Sequence, residues 1–276
     1  MPDRELGEYI LGTDGDELRR LQFQHVVWTE QLYELMRRVG PRAGDHALDL
    51  GSGPGFTSVA LARVVGPRGK VFACDTSRRF LAFLEGESKR LGLEQLTCRV
   101  GDVGALDVPP SSIDFAYARW LFCWLPDATP ALKSVHKALK PGGVLAMHEY
   151  LDWSAMTLMP RSPIFDHAID CCMQSWREGG ATIDFVREVP RLASACGFAI
   201  EELQPIARVG RVGSLEWRWM GEFFESYLRK LVGRSRFESG DFVAFQDEWK
   251  KRERDGSGFC LAPTMASVVL RKLPRA

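Results

Sequence analysis

Residues 47–60 read Ala47-Leu48-Asp49-Leu50-Gly51-Ser52-Gly53-Pro54-Gly55-Phe56-Thr57-Ser58-Val59-Ala60. The apolar run at 46–50 has the length of a buried strand, and the spacing turns helical from Phe56 to Val65. A strand, a glycine-rich turn and a helix in that order make the ligand-binding corner of an open α/β sheet. Glycine admits φ > 0 in the turn, and its missing Cβ lets a ligand lie against the backbone. A dinucleotide fingerprint, Gly-x-Gly-x-x-Gly, would place its third glycine at position 56, which is Phe56. The glycines stand instead at 51, 53 and 55, behind an acid at 49.

Working outward, each of the next two strands also ends in an acid. Strand 70–74 runs into Asp75-Thr76, where a carboxylate that binds ribose is expected. Strand 96–100 runs into Gly101-Asp102-Val103. A fourth strand, 113–118, is followed by Arg119-Trp120-Leu121-Phe122-Cys123-Trp124-Leu125. A helix at 128–139 is stopped by Lys140-Pro141-Gly142-Gly143, and a fifth strand covers 144–149.

Asp49-x-Gly51-x-Gly53-x-Gly55, with Asp75, Asp102 and the Lys140–Gly143 turn, resembles the class I S-adenosylmethionine-dependent methyltransferases, of the bacterial small-molecule type. The resemblance runs unbroken from about 46 to 152. It implies an α/β fold, a seven-stranded mixed sheet in the order 3-2-1-4-5-7-6 with an antiparallel seventh strand, helices on both faces and a helical cap. It implies S-adenosylmethionine as cofactor. Asp49, Gly51, Ser52, Gly53 and Gly55 would form the cofactor turn, with Asp75 and Thr76 at the ribose. Gly101, Asp102 and Val103 would stand at the adenine, Asp102 on its amino group. The backbone carbonyl of Ala118 or Arg119 would accept from the cofactor ammonium. Tyr9 and Gln24 match N-terminal positions that reach the methionine end in relatives. Trp120 and Trp124 either pack the core or face cofactor and substrate.

The 276 residues are 45% hydrophobic, with 36 basic against 36 acidic side chains. A neutral balance weighs against a nucleic-acid partner. No run reaches the length of a membrane helix. Seven cysteines in no ligand-like spacing, and no apolar leader, fit a reducing cytoplasm. No carboxylate cluster resembles a metal site, so no metal is expected. Oligomeric state is not legible.

Outside the core, a helix at 17–39 with the segment before it forms an N-terminal lid over 1–40. Helices at 164–177 and 182–196 precede a sixth strand at 198–208, and a seventh strand covers 259–270. About 50 residues part these two strands, long for a hairpin, so 214–255 reads as a cap inserted into a core of 41–213 and 256–276. Helices at 215–231 and about 239–252 lie within that stretch. Its aromatic load favours a small aromatic or partly apolar acceptor.

Methyl transfer from a sulfonium is an in-line displacement whose main demand is alignment in a dry pocket. A base, where one is needed, would come from His148 or Glu149 at the end of strand five, with alternation placing His148 and Tyr150 on one face. Trp28, Tyr150, Trp217, Phe223 and Tyr227 are the expected acceptor-binding residues, unless the aromatics only pack the cap. Two other readings share the sheet: a cofactor-binding module without turnover, and an NAD-dependent oxidoreductase, which Phe56 argues against.

Overall fold

The computed structural model of the chain describes residues 15–273. Tyr9 and the rest of 1–14 lie outside the described residues. The strands of the main sheet are β1 His46–Leu50, β2 Lys70–Asp75, β3 Leu96–Val100, β4 Ile113–Arg119, β5 Leu139–Asp152, β7 Phe198–Ile206 and β10 Thr264–Lys272. Their spatial order is β3-β2-β1-β4-β5-β10-β7. The first five are parallel, and β10 runs antiparallel to both β5 and β7. This is the order expected from the sequence, the last strand wedged between the fifth and sixth.

Each face of the sheet carries its own core. Leu32, Leu35 and Met36 of α2 (Thr29–Val39) pack with α3 (Phe56–Val65) and α4 (Arg78–Leu91) on one side. On the other, α5 (Thr129–Ala138) and α7 (Val189–Ala195) join a larger cluster. That cluster continues into α6 (Pro163–Glu178), α8 (Leu215–Gly233) and α9 (Ser239–Asp255), which pack on one another. α1 (Gly15–Val27) docks on α8. Three short strands, β6 Thr157–Met159, β8 Val209–Arg211 and β9 Phe259–Leu261, form a second antiparallel sheet in the order β6-β9-β8.

Element ends shift in places, most in β5, which starts at Leu139 and takes in the Lys140–Gly143 turn expected before it. Three expected elements are divided, each for a local reason. The helix expected at 17–39 is two helices, broken at Trp28 (φ −106°, ψ 10°). There the Thr29 hydroxyl takes the His25 carbonyl at 2.6 Å and the Arg208 guanidinium takes the Val27 carbonyl, so side chains compete for the helical ladder. The strand expected at 259–270 is split at Ala262-Pro263, because proline has no N–H to give a ladder. The helix expected at 182–196 is a 3-10 turn, Phe185–Glu188, followed by α7 with Pro190 in its first turn.

Candidate active site

The turn after β1 is set by backbone conformation. Gly51 and Gly55 have φ of +60° and +80°. A Cβ on Gly55 would meet the Leu84 side chain at 2.2 Å, and one on Gly51 would meet Leu121 at 2.8 Å. Asp75, at the end of β2, ties this turn to its own: Oδ2 accepts the Gly53 N–H at 2.7 Å and Oδ1 the Ser77 N–H at 2.8 Å. Burial raises its pKa and the backbone N–H donors oppose that shift. Asp49 lies beneath the turn, accepting the Ser58 hydroxyl at 2.5 Å. Burial pushes its pKa up to about 7, against the Ser58 hydrogen bond and the Arg119 charge. Asp102 accepts the Gly104 N–H at 2.7 Å and caps a short 3-10 turn.

These groups surround a cavity of about 550 Å³. Of the residues assigned to the cofactor, Gln24, Asp49, Gly51, Ser52, Gly53, Asp75, Thr76, Gly101, Asp102, Val103, Arg119 and Trp124 line it. Gly55 and Ala118 do not; Gly55 shapes the turn and Ala118 is buried in β4. The sequence reading missed Leu21, Phe56, Phe80, Tyr117 and Leu121, which supply apolar wall. Arg119 carries the site's cation. One of its nitrogens, Nη2, lies 3.2 Å from His25 Nδ1, and its guanidinium stands 5.3 Å from the Trp120 ring centre. Burial, then Arg119, pushes the His25 pKa down to about 4, so at neutral pH the imidazole is uncharged and Nδ1 can accept.

A second, smaller space of about 40 Å³ adjoins the first and shares Gln24, Trp120 and Trp124 with it. Its other walls are Arg20, Tyr150, Trp153, Met156, Trp176, Trp219, Met220, Phe223 and Pro263. Arg20 is neutralised by Glu17, with N–O distances of 2.8 Å, and donates to Gln24 at 3.0 Å. The Trp153 and Trp176 N–H groups are buried and make no hydrogen bond. They lie beside the Tyr150 and Tyr227 hydroxyls without reaching hydrogen-bond geometry.

Of the expected acceptor-binding residues, Tyr150 and Phe223 are in this wall. Trp28 stands behind it, edge-on to Trp120 and to Trp219, each at 5.5 Å. Trp217 points away and stacks on Trp249 at 4.1 Å, lining an outer groove. Tyr227 is buried, its hydroxyl 2.8 Å from Ser175 Oγ. Helical periodicity separates Trp217 from Trp219 and Phe223, which stand i, i+4 on one face, but not Tyr227, which continues that face and packs deeper against Ser175 and Trp176. Trp153 and Trp176 had no comparable signal.

Neither expected base reaches either cavity. His148 is 2% exposed, its Nδ1 2.8 Å from the Tyr117 hydroxyl. Burial, then Arg119 and Arg38, pushes its pKa down to about 3. Glu149 is fully buried and accepts the Leu121 and Phe122 N–H groups at 2.8 and 2.9 Å, anchoring the loop after β4. Burial pushes its pKa up to about 7. Tyr150 packs with Trp120 and Trp153, and the pairing with β10 shifts register just beyond it, between the Tyr150–Met265 and Asp152–Thr264 pairs. Among the described residues no group of three His, Cys, Asp or Glu could hold a metal, and no helix is long and apolar enough to cross a membrane.

Two buried polar atoms on the larger cavity have no partner within the chain: Ser52 Oγ and Arg119 Nη1. An added Cβ on Gly53 would meet nothing within 4 Å, so the turn presents open backbone there. These features fit S-adenosylmethionine. Its amino-acid carboxylate suits the Arg119 donor, and its ribose and adenine suit Asp75 and Asp102.

Comparison with known proteins agrees. A family model described as a methyltransferase domain matches residues 48–147. The chain is 33% identical over 121 residues to a demethylmenaquinone methyltransferase of Geobacillus stearothermophilus, covering 44% of this chain and 50% of that one. It is 31% identical over 175 residues to an uncharacterized 37.1 kDa protein of a Streptomyces fradiae transposon, covering 62% and 48%. The chain thus spans about half the length of these curated relatives. Among solved structures, its fold is similar to the YcgJ protein of Bacillus subtilis, with a TM-score of 0.61, 15% identity and coverage of 90% and 100%. It is also similar to phosphoethanolamine N-methyltransferase 2 of Haemonchus contortus with bound S-adenosyl-L-methionine, with a TM-score of 0.55, 19% identity and coverage of 89% and 53%. Residues 48–147 thus match a methyltransferase domain, the chain shares its fold with a solved S-adenosylmethionine-bound methyltransferase, and the larger cavity fits that cofactor.

Proposed function

We propose that this protein transfers the methyl group of S-adenosylmethionine to a small aromatic or partly apolar metabolite, in a pocket closed by the N-terminal lid and the cap at 214–255. The observation that carries this reading is the shared wall: Gln24, Trp120 and Trp124 border both the cofactor cavity and the aromatic space. A methyl group leaving the larger cavity on that side would enter a dry, aromatic environment. Water exclusion favours loss of the sulfonium charge, and alignment supplies most of the rate.

The aromatic space is lined by no carboxylate and no histidine. His148 and Glu149 are therefore assigned to positioning, His148 behind Tyr117 and Glu149 beneath the loop at 121–122. The acceptor would arrive with its nucleophile already available, or lose its proton through solvent. A neutral net charge and seven free cysteines support a small-molecule acceptor and a reducing, cytoplasmic setting.

The test pairs calorimetry of S-adenosylhomocysteine binding with mass-spectrometric detection of methyl transfer to a panel of phenols, hydroxyquinones and aromatic amines. Product with at least one aromatic acceptor is expected. Tight binding with no product across the panel would favour the module without turnover.

A further inference from the structure

Trp120 is built unlike its neighbours. Its backbone φ is +49°, a left-handed value that a bulky residue adopts only under strain, and it is the only aromatic residue with positive φ among the described residues. Its own N–H is held by the His148 carbonyl at 3.1 Å. Its indole N–H meets only a soft acceptor, the Met265 sulfur at 3.0 Å. The ring lies near-parallel to Tyr150, at 5.8 Å and 28°, and to Trp219, at 6.1 Å and 20°. It stands in the wall between the two cavities.

The space left around this ring on the aromatic side is about 40 Å³, the size of one or a few small groups. A benzene-sized ring needs about 150 Å³. An aromatic acceptor therefore cannot enter the smaller space on this side of Trp120 unless a side chain gives way. The stacking position between the cofactor cavity and the aromatic wall is already filled by a flat bicyclic ring, that of Trp120 itself. Beyond it, the buried N–H groups of Trp153 and Trp176 lie beside tyrosine hydroxyls but make no hydrogen bond of good geometry. Buried donors left unmade are costly, and an oxygen on the incoming ring would satisfy them.

We propose that the Trp120 indole is a built-in plug. It occupies the place of a flat, bicyclic, oxygen-bearing aromatic acceptor and swings out when that acceptor stacks against Tyr150 and Trp219. The proposal rests on the methyl-transfer reading of the same site.

The test uses 1-naphthol as probe, titrated by calorimetry with and without saturating S-adenosylhomocysteine. Trp120→Gly removes the ring and suits the positive φ. It is expected to bind 1-naphthol at least tenfold more tightly than the natural protein. Trp217→Ala, which opens a hole of similar size away from the cavities, is expected to show no such gain. Naphthalene, which lacks the oxygen, is expected to bind Trp120→Gly at least tenfold more weakly than 1-naphthol. Weaker 1-naphthol binding to Trp120→Gly would make Trp120 part of the acceptor wall and overturn the plug. So would an equal gain in Trp217→Ala, equal binding of naphthalene, or no binding of 1-naphthol to either form.

Should Trp120→Gly fail to fold, fluorine NMR of the natural sequence labelled with 5-fluorotryptophan decides instead. The Trp120 signal, identified by its loss in Trp120→Phe, is expected to shift when 1-naphthol saturates; an unmoved signal overturns the proposal. Because the 1-naphthol titrations also run without S-adenosylhomocysteine, failure to bind that compound counts against the methyl-transfer reading and leaves the plug to its own result.

Discussion

The two adjoining cavities are made of different material. The larger is cut from backbone: a glycine turn, three strand ends, and carboxylates that accept main-chain N–H groups at fixed offsets. The smaller is cut from side chains of five separate stretches of chain, at Arg20–Gln24, Trp120–Trp124, Tyr150–Met156, Trp176 and Trp219–Phe223, with Pro263 closing it. A backbone site keeps its shape when individual side chains change and fails when the turn does. A side-chain site does the reverse. The contrast suits a fixed cofactor paired with a changeable acceptor.

The strongest challenge to this contrast is to break the turn. Gly55→Ala forces a Cβ into the left-handed region and onto Leu84. It should cost about 2–5 kcal/mol of stability. Denaturant unfolding with an unchanged midpoint would show that the turn is not a fixed scaffold.

Next in size is the carboxylate that both supports the turn and faces the cavity. Asp75→Ala removes an acceptor for two N–H groups and the proposed ribose contact. The expected loss is about 1.5–3 kcal/mol in S-adenosylhomocysteine binding, roughly a 10- to 150-fold rise in Kd. Calorimetry giving the natural Kd would remove Asp75 from the cofactor site.

A third experiment asks whether Glu149 acts through its loop. Burial raises its carboxyl pKa to about 7 from 4.5, so between those values the folded state binds more protons than the unfolded. The contribution of Glu149 to stability should be greatest below about pH 4.5, fall as pH rises to about 7, and level off above. Glu149's share of the slope is at most about 1.4 kcal/mol per pH unit. Asp49, raised from 3.8 to about 7, contributes in the same direction. Glu149→Gln should flatten part of this slope in thermal melts of the ligand-free protein. An undiminished slope would assign the whole of it elsewhere.

The smallest effect should come from the side-chain cavity. Trp176→Phe keeps a ring and deletes one buried N–H. S-adenosylhomocysteine affinity should stay within about twofold, while KM for an oxygenated aromatic acceptor rises about 5- to 10-fold, the worth of one hydrogen bond. If both parameters move together, the two cavities are one site energetically and the contrast fails.

The same difference explains how far the amino-acid order could be read. The acids at 49, 75 and 102 and the three glycines between 51 and 55 were legible because each depends on residues close in sequence, whereas the strand order was legible only through the family resemblance. A turn that needs φ > 0 selects glycine locally, and a strand end fixes where an acid stands. His148 and Glu149 were legible as polar groups at the end of β5, but only packing decided that they face protein and not ligand. Trp120 and Trp219 are 99 positions apart and meet only because α8 folds back over the mouth of the sheet. Nothing in helical or strand periodicity says which partner a buried aromatic face will find, since apolar burial has no direction of its own. Local backbone geometry was therefore determined by the sequence alone. The grouping of aromatic rings, and the strained conformation of the one between the cavities, was decided by tertiary structure.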